Sequence, residues 1–297
     1  MDRARLAVST WSLHEQLGPR RLTRRDADGV KRPYEIPHPQ RISLLDFLAQ
    51  VRPRLDLDQV ELCAFHLPSR EPAYLEQLEA TLREHRLSVL SMPIDAGNIS
   101  VADPAWRADD LAEIEGWIDL AADLGARYVR ANASSYVAQE PLAPLDVTIG
   151  SYRRLADRAN GHGMTMTIEN HGGLTADPDT IVRIVEGVGP DRLKVCLDTA
   201  NFAPVMGHQM SPTPPSGVDP EPLYEGLARI APYAGIVHAK TVWFDRDGNH
   251  LVYDPQRTLR IVRDAGFDGP LSIEYGGGVD EWNGALRTRR IVEEVFA

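Results

Sequence analysis

The chain contains very little cysteine. Only Cys63 and Cys196 occur among its 297 residues, and each falls inside a predicted strand. Two buried thiols are typical of a protein from a reducing compartment, whereas a disulfide-stabilised scaffold would need more of them. The first residues also lack the apolar run of a signal peptide. We therefore expect a cytoplasmic protein.

Long apolar runs and an excess of positive charge are absent as well. No stretch holds about 18 uninterrupted apolar residues, so the sequence predicts no membrane-spanning helix. The net charge is −11, from 43 acidic and 32 basic residues. Since a surface for nucleic acid or an anionic membrane needs a basic face, we expect neither as a partner.

A dinucleotide-binding motif is a third absence. No G-x-G-x-x-G follows an early predicted strand, which weighs against an open nucleotide-binding sheet. Instead, predicted strands and helices alternate eight times, and no linker divides the chain. This pattern predicts an α/β fold, a (β/α)₈ TIM barrel that forms a single domain over residues 1–297. Two proline-containing segments, Gly18–Arg41 and Pro204–Pro222, are predicted to be long loops of undefined role.

The stretch Met164–Phe202 reads as a strand, a helix and a second strand. The first strand ends at Glu169 and the second at Asp198, and Asp177 is placed to cap the helix between them. A right-handed parallel unit brings both strand ends to the same edge of a sheet. Two desolvated carboxylates repel unless they share a proton or a cation, which favours a metal site. Two solvated carboxylates are the alternative interpretation.

The next two predicted strands end in residues of the same chemical kind. His238 follows the seventh strand and Glu274 the eighth. In a barrel the carboxyl ends of the strands surround one cavity, so these side chains should meet Glu169 and Asp198. Three carboxylates and one imidazole suit Mn²⁺, Mg²⁺, Co²⁺ or Fe²⁺ better than a structural zinc.

Four short strings at these strand ends carry a resemblance to a known family. They are I-E-N-H-G at 168–172, L-D-T-A-N at 197–201, V-H-A-K at 237–240 and S-I-E-Y at 272–275. The strings resemble the last four strand ends of the xylose isomerase-like TIM-barrel superfamily, the sugar phosphate isomerase/epimerase family. That superfamily includes ketose 3-epimerases, inosose dehydratases and metal-dependent apurinic endonucleases.

The resemblance implies a metal centre and a class of reaction. Glu169, Asp198, His238 and Glu274 would bind one divalent ion, most readily Mn²⁺, with Mg²⁺, Co²⁺, Fe²⁺ or Zn²⁺ as options. The reaction would be isomerisation or epimerisation of a sugar, keto-sugar or cyclitol through a metal-stabilised enediolate, with Glu169 and Glu274 as the catalytic base and acid. The substrate would be a small carbohydrate, and relatives are often homo-oligomers.

Other activities stay open beside this one. The same site chemistry serves a metal-dependent lyase, either a dehydratase or an enzyme that cleaves 3-keto-glycosides. A barrel that binds a sugar without chemistry is the non-enzymatic alternative. Asn201 stands where the endonuclease branch and the ketose epimerases carry histidine, and the D-x-H pair of the nucleases is absent after the seventh strand. These departures argue against DNA repair and against the usual ketose 3-epimerase substrate mode.

Six further residues near the strand ends are candidates for substrate binding. They are Trp11, His66, Arg130, His171, Asn201 and Lys240. Lys240 would steady a developing oxyanion or form a salt bridge with a nearby carboxylate. Arg130 would meet an anionic group of the substrate or form a buried ion pair. For Trp11 and His66, a packing role competes with a place in the wall of a sugar pocket.

Overall fold

Eight parallel strands close into a barrel in the computed structural model, which describes residues 5–26, 28–134 and 140–297. The predicted single-domain TIM barrel is thereby confirmed. The barrel strands, numbered with two further strands in chain order, are β1 Leu6–Ser9, β4 Gln59–Glu61, β5 Ser88–Ile94, β6 Tyr128–Ala131, β7 Thr165–Glu169, β8 Leu193–Asp198, β9 Ala234–Thr241 and β10 Leu271–Tyr275.

Helices surround the barrel and follow its strands along the chain. They are α1 Leu44–Leu55, α2 Pro72–Glu84, α3 Pro104–Asp123, α4 Leu145–Gly161, α5 Pro178–Val188, α6 Glu221–Ile230, α7 Pro255–Asp264 and α8 Glu281–Phe296. The core lies between the helices and the sheet, where leucine, isoleucine and valine side chains from both layers are buried. This burial of apolar area provides most of the stabilisation of the fold.

Helix α5 shows how the local sequence sets an element between two site strands. The Asp177 side chain accepts hydrogen bonds from the backbone N–H groups of Asp179 and Thr180, as predicted for its cap. Pro178 occupies the first turn, where its missing N–H costs nothing. The helix buries Ile181 and Ile184 against the barrel, so strands β7 and β8 end side by side.

The segment Gly18–Arg41 is more ordered than the predicted long loop. Two strands, β2 Arg20–Arg25 and β3 Lys31–Ile36, pair in antiparallel fashion inside it. The prediction missed them because their basic residues show no clear apolar alternation, and tertiary contacts hold the pair in place. Within it Leu22 is buried beside Phe65 at the mouth of the barrel.

Strand β4 is shorter than predicted, which moves Cys63 out of the sheet. The strand ends at Glu61, and Ala64–His66 forms a short 3₁₀ turn instead of continuing it. The backbone N–H of Cys63 donates to Thr10 Oγ1 rather than to a neighbouring strand. Cys196 does lie within strand β8, and both cysteines are buried free thiols.

None of the helices in the described part of the chain is both long and apolar enough to cross a membrane.

The hairpin β2–β3 is held to helix α3 by a buried ion cluster. Asp110 Oδ1 lies 2.9 Å from Arg25 Nη2 and 2.6 Å from Lys31 Nζ, and its side chain is 4% exposed. Removing one partner of a buried pair leaves the other charges uncompensated. We therefore predict that Asp110→Ala lowers the free energy of unfolding by about 3 to 5 kcal/mol, measured by urea denaturation.

Asp109→Ala is the matched control for this prediction. Asp109 contacts the same Arg25 and Lys31, but its side chain is 55% exposed. An exposed pair contributes about 0 to 1 kcal/mol, so this variant should unfold almost like the unaltered protein. Equal losses for the two variants would show that the hairpin does not depend on the buried carboxylate.

Candidate functional site

Strand register places the four predicted metal ligands along one edge of the barrel. Asp198 on β8 is the register partner of His238 on β9. Glu274 on β10 pairs with Lys240, two residues after His238 on β9. Glu169 ends the neighbouring strand β7. All four side chains are almost completely buried, with relative exposures from 0% to 5%.

His238 lies at the centre of this group. Its Nδ1 atom is 3.5 Å from Glu169 Oε1 and 3.5 Å from Glu274 Oε1. His238 Nδ1 is buried and makes no hydrogen bond to another described residue. Buried polar atoms are normally paired, so this atom marks a position where a ligand is expected.

Glu61 is a site residue that the sequence analysis missed. Its side chain is fully buried at the end of β4, with Oε2 3.1 Å from His238 Nε2 and Oε1 3.1 Å from Ser272 Oγ. A carboxylate that accepts from Nε2–H directs the Nδ1 atom of the ring toward Glu169 and Glu274. The available signal was a glutamate between two apolar residues, Val60 and Leu62.

Cys196 is the other residue that the sequence analysis did not place here. Its Sγ lies 3.1 Å from His238 Nε2. Two sets of potential ligand atoms lie within 4.8 Å of one another: those of Glu169, Cys196 and His238, and those of Glu61, His238 and Glu274. Burial raises the pKa of the Cys196 thiol to about 12, so it is a neutral group at physiological pH.

Asp198 belongs to neither of these sets and pairs with Lys240 instead. Lys240 Nζ lies 3.0 Å from Asp198 Oδ2 and 3.3 Å from Glu274 Oε2. Burial raises the pKa of Asp198 to about 7; Glu274 and Glu169 add to the rise, and Lys240 opposes it. The salt-bridge alternative for Lys240 therefore describes its contacts in this structure.

Arg130 forms the second buried ion pair at this edge. Its guanidinium contacts Asp95 Oδ1 at 2.7 Å and Glu169 Oε2 at 2.9 Å. Asn201 Nδ2 donates to the other oxygen of Glu169 at 3.0 Å. Burial would raise the pKa of Glu169, but Arg130 and His171 hold it well below its usual range. Glu169 is therefore ionised.

The charges at this edge suit a bound cation. The described residues bury the carboxylates of Glu61, Asp95, Glu169, Asp198 and Glu274 here. Burial lowers the pKa of His238, but Cys196, Glu61 and Glu274 outweigh it and raise the pKa well above its ordinary value. Even with a protonated His238 beside Arg130 and Lys240, the acidic groups are in excess. The oxygen and imidazole donors match a divalent ion such as Mn²⁺ or Mg²⁺.

A cavity of about 540 Å³ opens onto this group. Its wall includes Glu169 and Glu274, whereas Asp198 and His238 are not among the residues that line it. Five of the six predicted substrate-binding residues also line it: Trp11, Arg130, His171, Asn201 and Lys240.

His66 is not part of the described cavity wall. Its ring packs edge-on against Phe65, with ring centroids 4.6 Å apart, and is 1% exposed. Burial lowers the pKa of His66 well below its ordinary value, so the ring is neutral. These contacts support the packing role for His66, one of the two roles that the sequence left open.

The closed parallel barrel carries a cluster of buried carboxylates at the carboxyl ends of its strands. These two features define the class of this protein as a TIM barrel with a candidate metal site. Residues 53–291 match the family model of the xylose isomerase-like TIM barrel. The chain belongs to that family, as the four strand-end strings indicated. A comparison with curated protein sequences found no significant match.

Solved structures share the fold at low sequence identity. A xylose isomerase-like TIM barrel protein from Mycobacterium smegmatis, in complex with magnesium, is 20% identical, with a TM-score of 0.67 over 98% of this chain and 96% of that chain. An L-ribulose 3-epimerase is 17% identical, with a TM-score of 0.69 over 98% and 95%. A probable 3-DHS dehydratase from Bacillus anthracis, involved in petrobactin synthesis, is 16% identical, with a TM-score of 0.62 over 96% and 97%.

The contact between Glu61 and His238 generates a prediction about metal affinity. Glu61→Gln replaces the acceptor at Nε2 with an amide and removes a negative charge, so the imidazole loses its fixed tautomer. Loss of such a supporting carboxylate typically costs about 10- to 100-fold in metal affinity. We expect a loss of this size in Mn²⁺ titrations followed by electron paramagnetic resonance.

Cys196→Ala is the control, because Cys196 contacts the same nitrogen without carrying a charge. Its Mn²⁺ affinity should match that of the unaltered protein. If Cys196→Ala loses the ion and Glu61→Gln keeps it, the supporting role belongs to the thiol and the assignment of Glu61 is wrong.

Proposed function

We propose that this protein is a divalent-metal-dependent isomerase or epimerase of a sugar, keto-sugar or cyclitol. The observation that carries the proposal is the position of two buried glutamates. Glu169 and Glu274 both line the cavity, and each lies 3.5 Å from the same nitrogen of His238. Two candidate proton-transfer groups therefore lie in the wall of a pocket sized for a small ligand, next to the proposed metal ligand His238.

The metal would be held by Glu169, Asp198, His238 and Glu274, with Mn²⁺ the best fit and Mg²⁺, Co²⁺, Fe²⁺ or Zn²⁺ as alternatives. A divalent ion there would withdraw charge from a carbonyl and its adjacent hydroxyl, which acidifies the C–H bond between them. Support comes from the orphaned His238 Nδ1 and the excess of buried carboxylates. Asp198 would exchange its contact with Lys240 for the ion.

Proton transfer falls to the two glutamates that reach the cavity. Their Oε1 atoms are both 3.5 Å from His238 Nδ1, so they lie within about 7 Å of each other. A reacting carbon between them would have a carboxylate within reach on two sides. Removal of a proton by one and return by the other inverts the carbon or moves the carbonyl. The low pKa of Glu169 makes it a weak base, which suits only a strongly acidified C–H bond.

Lys240 and Asn201 would position the substrate beside them. The pKa of Lys240 is raised, because Asp198 and Glu274 outweigh the effect of burial, and its amine stays charged. A charged donor 3.3 Å from Glu274 is placed to hold a substrate oxygen on which negative charge develops. Asn201 holds Glu169 in place and accepts from Lys240 at 3.3 Å.

A metal-dependent lyase is the second candidate. Asn201 replaces the histidine expected of a ketose 3-epimerase and binds Glu169, and the dehydratase from Bacillus anthracis shares the fold. A base at Glu274 with the charged Lys240 beside it would equally serve removal of a proton and loss of a neighbouring hydroxyl. Product mass separates the two, because elimination releases water or an aglycone and epimerisation gives an isobaric product.

The first prediction from this proposal concerns metal content. Protein prepared without chelator should contain about one Mn²⁺, Mg²⁺ or related ion per chain by elemental analysis. Asp198→Ala should contain much less, because a ligand has been removed and Lys240 loses its counter-charge. Equal metal content in the two proteins would contradict the ligand set.

The second prediction concerns turnover. Glu169→Gln and Glu274→Gln keep the side-chain size and one ligand oxygen but remove the proton acceptor. Loss of a general acid or base costs about 10² to 10⁴ in rate. Both variants should stay folded, since these positions lie at the mouth of the barrel, and lose nearly all exchange of the substrate α-proton with deuterated solvent.

Lys240→Met provides the contrast for these variants. We expect a milder loss in Lys240→Met. A loss mostly in KM would mark Lys240 as a binding group, and a loss mostly in kcat would mark it as a group that stabilises developing charge. A glutamine variant that keeps more than about a tenth of the unaltered rate would remove that glutamate from the catalytic role. A protein that binds a sugar with its metal and exchanges no proton would instead be a binding barrel.

A further inference from the structure

The charges lining the cavity differ in how they are compensated. Arg130 is paired with Asp95 and Glu169, and Lys240 with Asp198 and Glu274. Arg20, from strand β2 of the hairpin, lines the same cavity. No carboxylate of the described residues lies within 4.0 Å of the Arg20 guanidinium. Among the described basic residues that line the cavity, Arg20 is therefore the one without a carboxylate partner, whereas Arg130 and Lys240 each have two.

Arg20 is also nine-tenths buried, with a relative exposure of 9%. Its Nη2 contacts His38 Nε2 at 3.2 Å, while its buried Nε has no hydrogen-bond partner among the described residues. Glu15 is nearby, but it contacts the opposite nitrogen of the His38 ring, at 3.5 Å. A buried guanidinium without a counter-charge is costly, so its retention is expected where a ligand supplies that charge.

Two distances to the Trp11 ring limit how far Arg20 lies from Lys240. The Arg20 guanidinium carbon lies 5.4 Å from the Trp11 ring centre, and Lys240 Nζ lies 5.7 Å from it. The two cationic groups are therefore no more than about 11 Å apart. A five- or six-carbon chain whose reacting carbon lies beside Lys240 and Glu274 would bring its far end close to Arg20.

We propose that Arg20 binds an anionic group, a carboxylate or a phosphate, at the end of the sugar substrate remote from the reacting carbon. This inference rests on the proposed function and narrows its substrate to sugar acids or sugar phosphates. A planar guanidinium carries five N–H donors in one plane, a geometry that matches two oxygens of either group. Arg130, the arginine that the sequence suggested for this role, is already occupied by two carboxylates.

The test compares three ketoses that differ only at carbon 6: D-fructose, D-fructuronate and D-fructose 6-phosphate. Their binding to the Mn²⁺-loaded protein is measured by isothermal titration calorimetry. A charge-assisted contact to a buried arginine is expected to favour one or both anions over fructose by about 10- to 100-fold. The preferred anion identifies the group as carboxylate or phosphate.

Arg20→Gln should abolish that preference, because it lowers the affinity for the anions far more than the affinity for fructose. Arg32→Gln, on strand β3 of the same hairpin, is the matched control, because Arg32 is 47% exposed, pairs with Asp26 and Asp28, and lies outside the cavity wall. Arg32→Gln should keep the full preference for the anionic ketose.

Arg20→Lys keeps the positive charge but loses the planar set of guanidinium donors, so it should keep part of the preference. This variant shows whether a loss in Arg20→Gln comes from the missing charge or from misfolding.

Absent or equal binding of the three ketoses, or an equal loss for all three in Arg20→Gln, would overturn the proposal. Exchange of the substrate α-proton with deuterated solvent is measured in parallel and tests the reaction separately. Tighter binding of an anionic ketose without exchange of its α-proton would support the role of Arg20 and contradict the proposed isomerase. Exchange of the α-proton without tighter binding of an anionic ketose would support the isomerase and contradict the role of Arg20.

Discussion

Compensation of buried negative charge at the mouth of the barrel is the constraint on which this structure depends. Strand ends from β4, β7, β8 and β10 bring carboxylates into one buried group, where their mutual repulsion would be severe. Arg130, Lys240 and His238 offset part of it through short contacts. Burial raises the pKa of Asp198, and the neighbouring carboxylates Glu274 and Glu169 add to the rise. The remaining excess of negative charge fits a divalent cation.

The same constraint separates the cavity into two regions. Around His238 each cation is matched by carboxylates, and the contacts hold Glu169 and Glu274 at the wall of the cavity. Near the hairpin β2–β3, Arg20 faces the cavity without a counter-charge. The two proposals thus place chemistry and substrate recognition on different elements: the barrel strands would hold the proton-transferring glutamates, and the hairpin, anchored on helix α3, would carry the selectivity.

Much of the fold and part of the site followed from the sequence, because barrel strands have a strong repeat and their last residues must meet. The positions of Glu169, Asp198, His238 and Glu274 are consequences of that repeat. Glu61 was missed because its role depends on contacts across the barrel, from β4 to β9, that no local pattern records. The hairpin was missed because its few apolar residues give a weak local signal, and contacts distant in sequence hold it in place, such as the ion pairs of Lys31 with Asp110 and Glu113.

A crystal structure of the Mn²⁺-loaded protein, with anomalous diffraction measured at the manganese edge, tests the central claim most directly. We expect one anomalous peak about 2.0 to 2.2 Å from His238 Nδ1 and from oxygens of Glu169, Asp198 and Glu274. Lys240 should no longer bridge Asp198 and Glu274 in that structure. A peak elsewhere, or no peak with that bridge intact, would contradict the account.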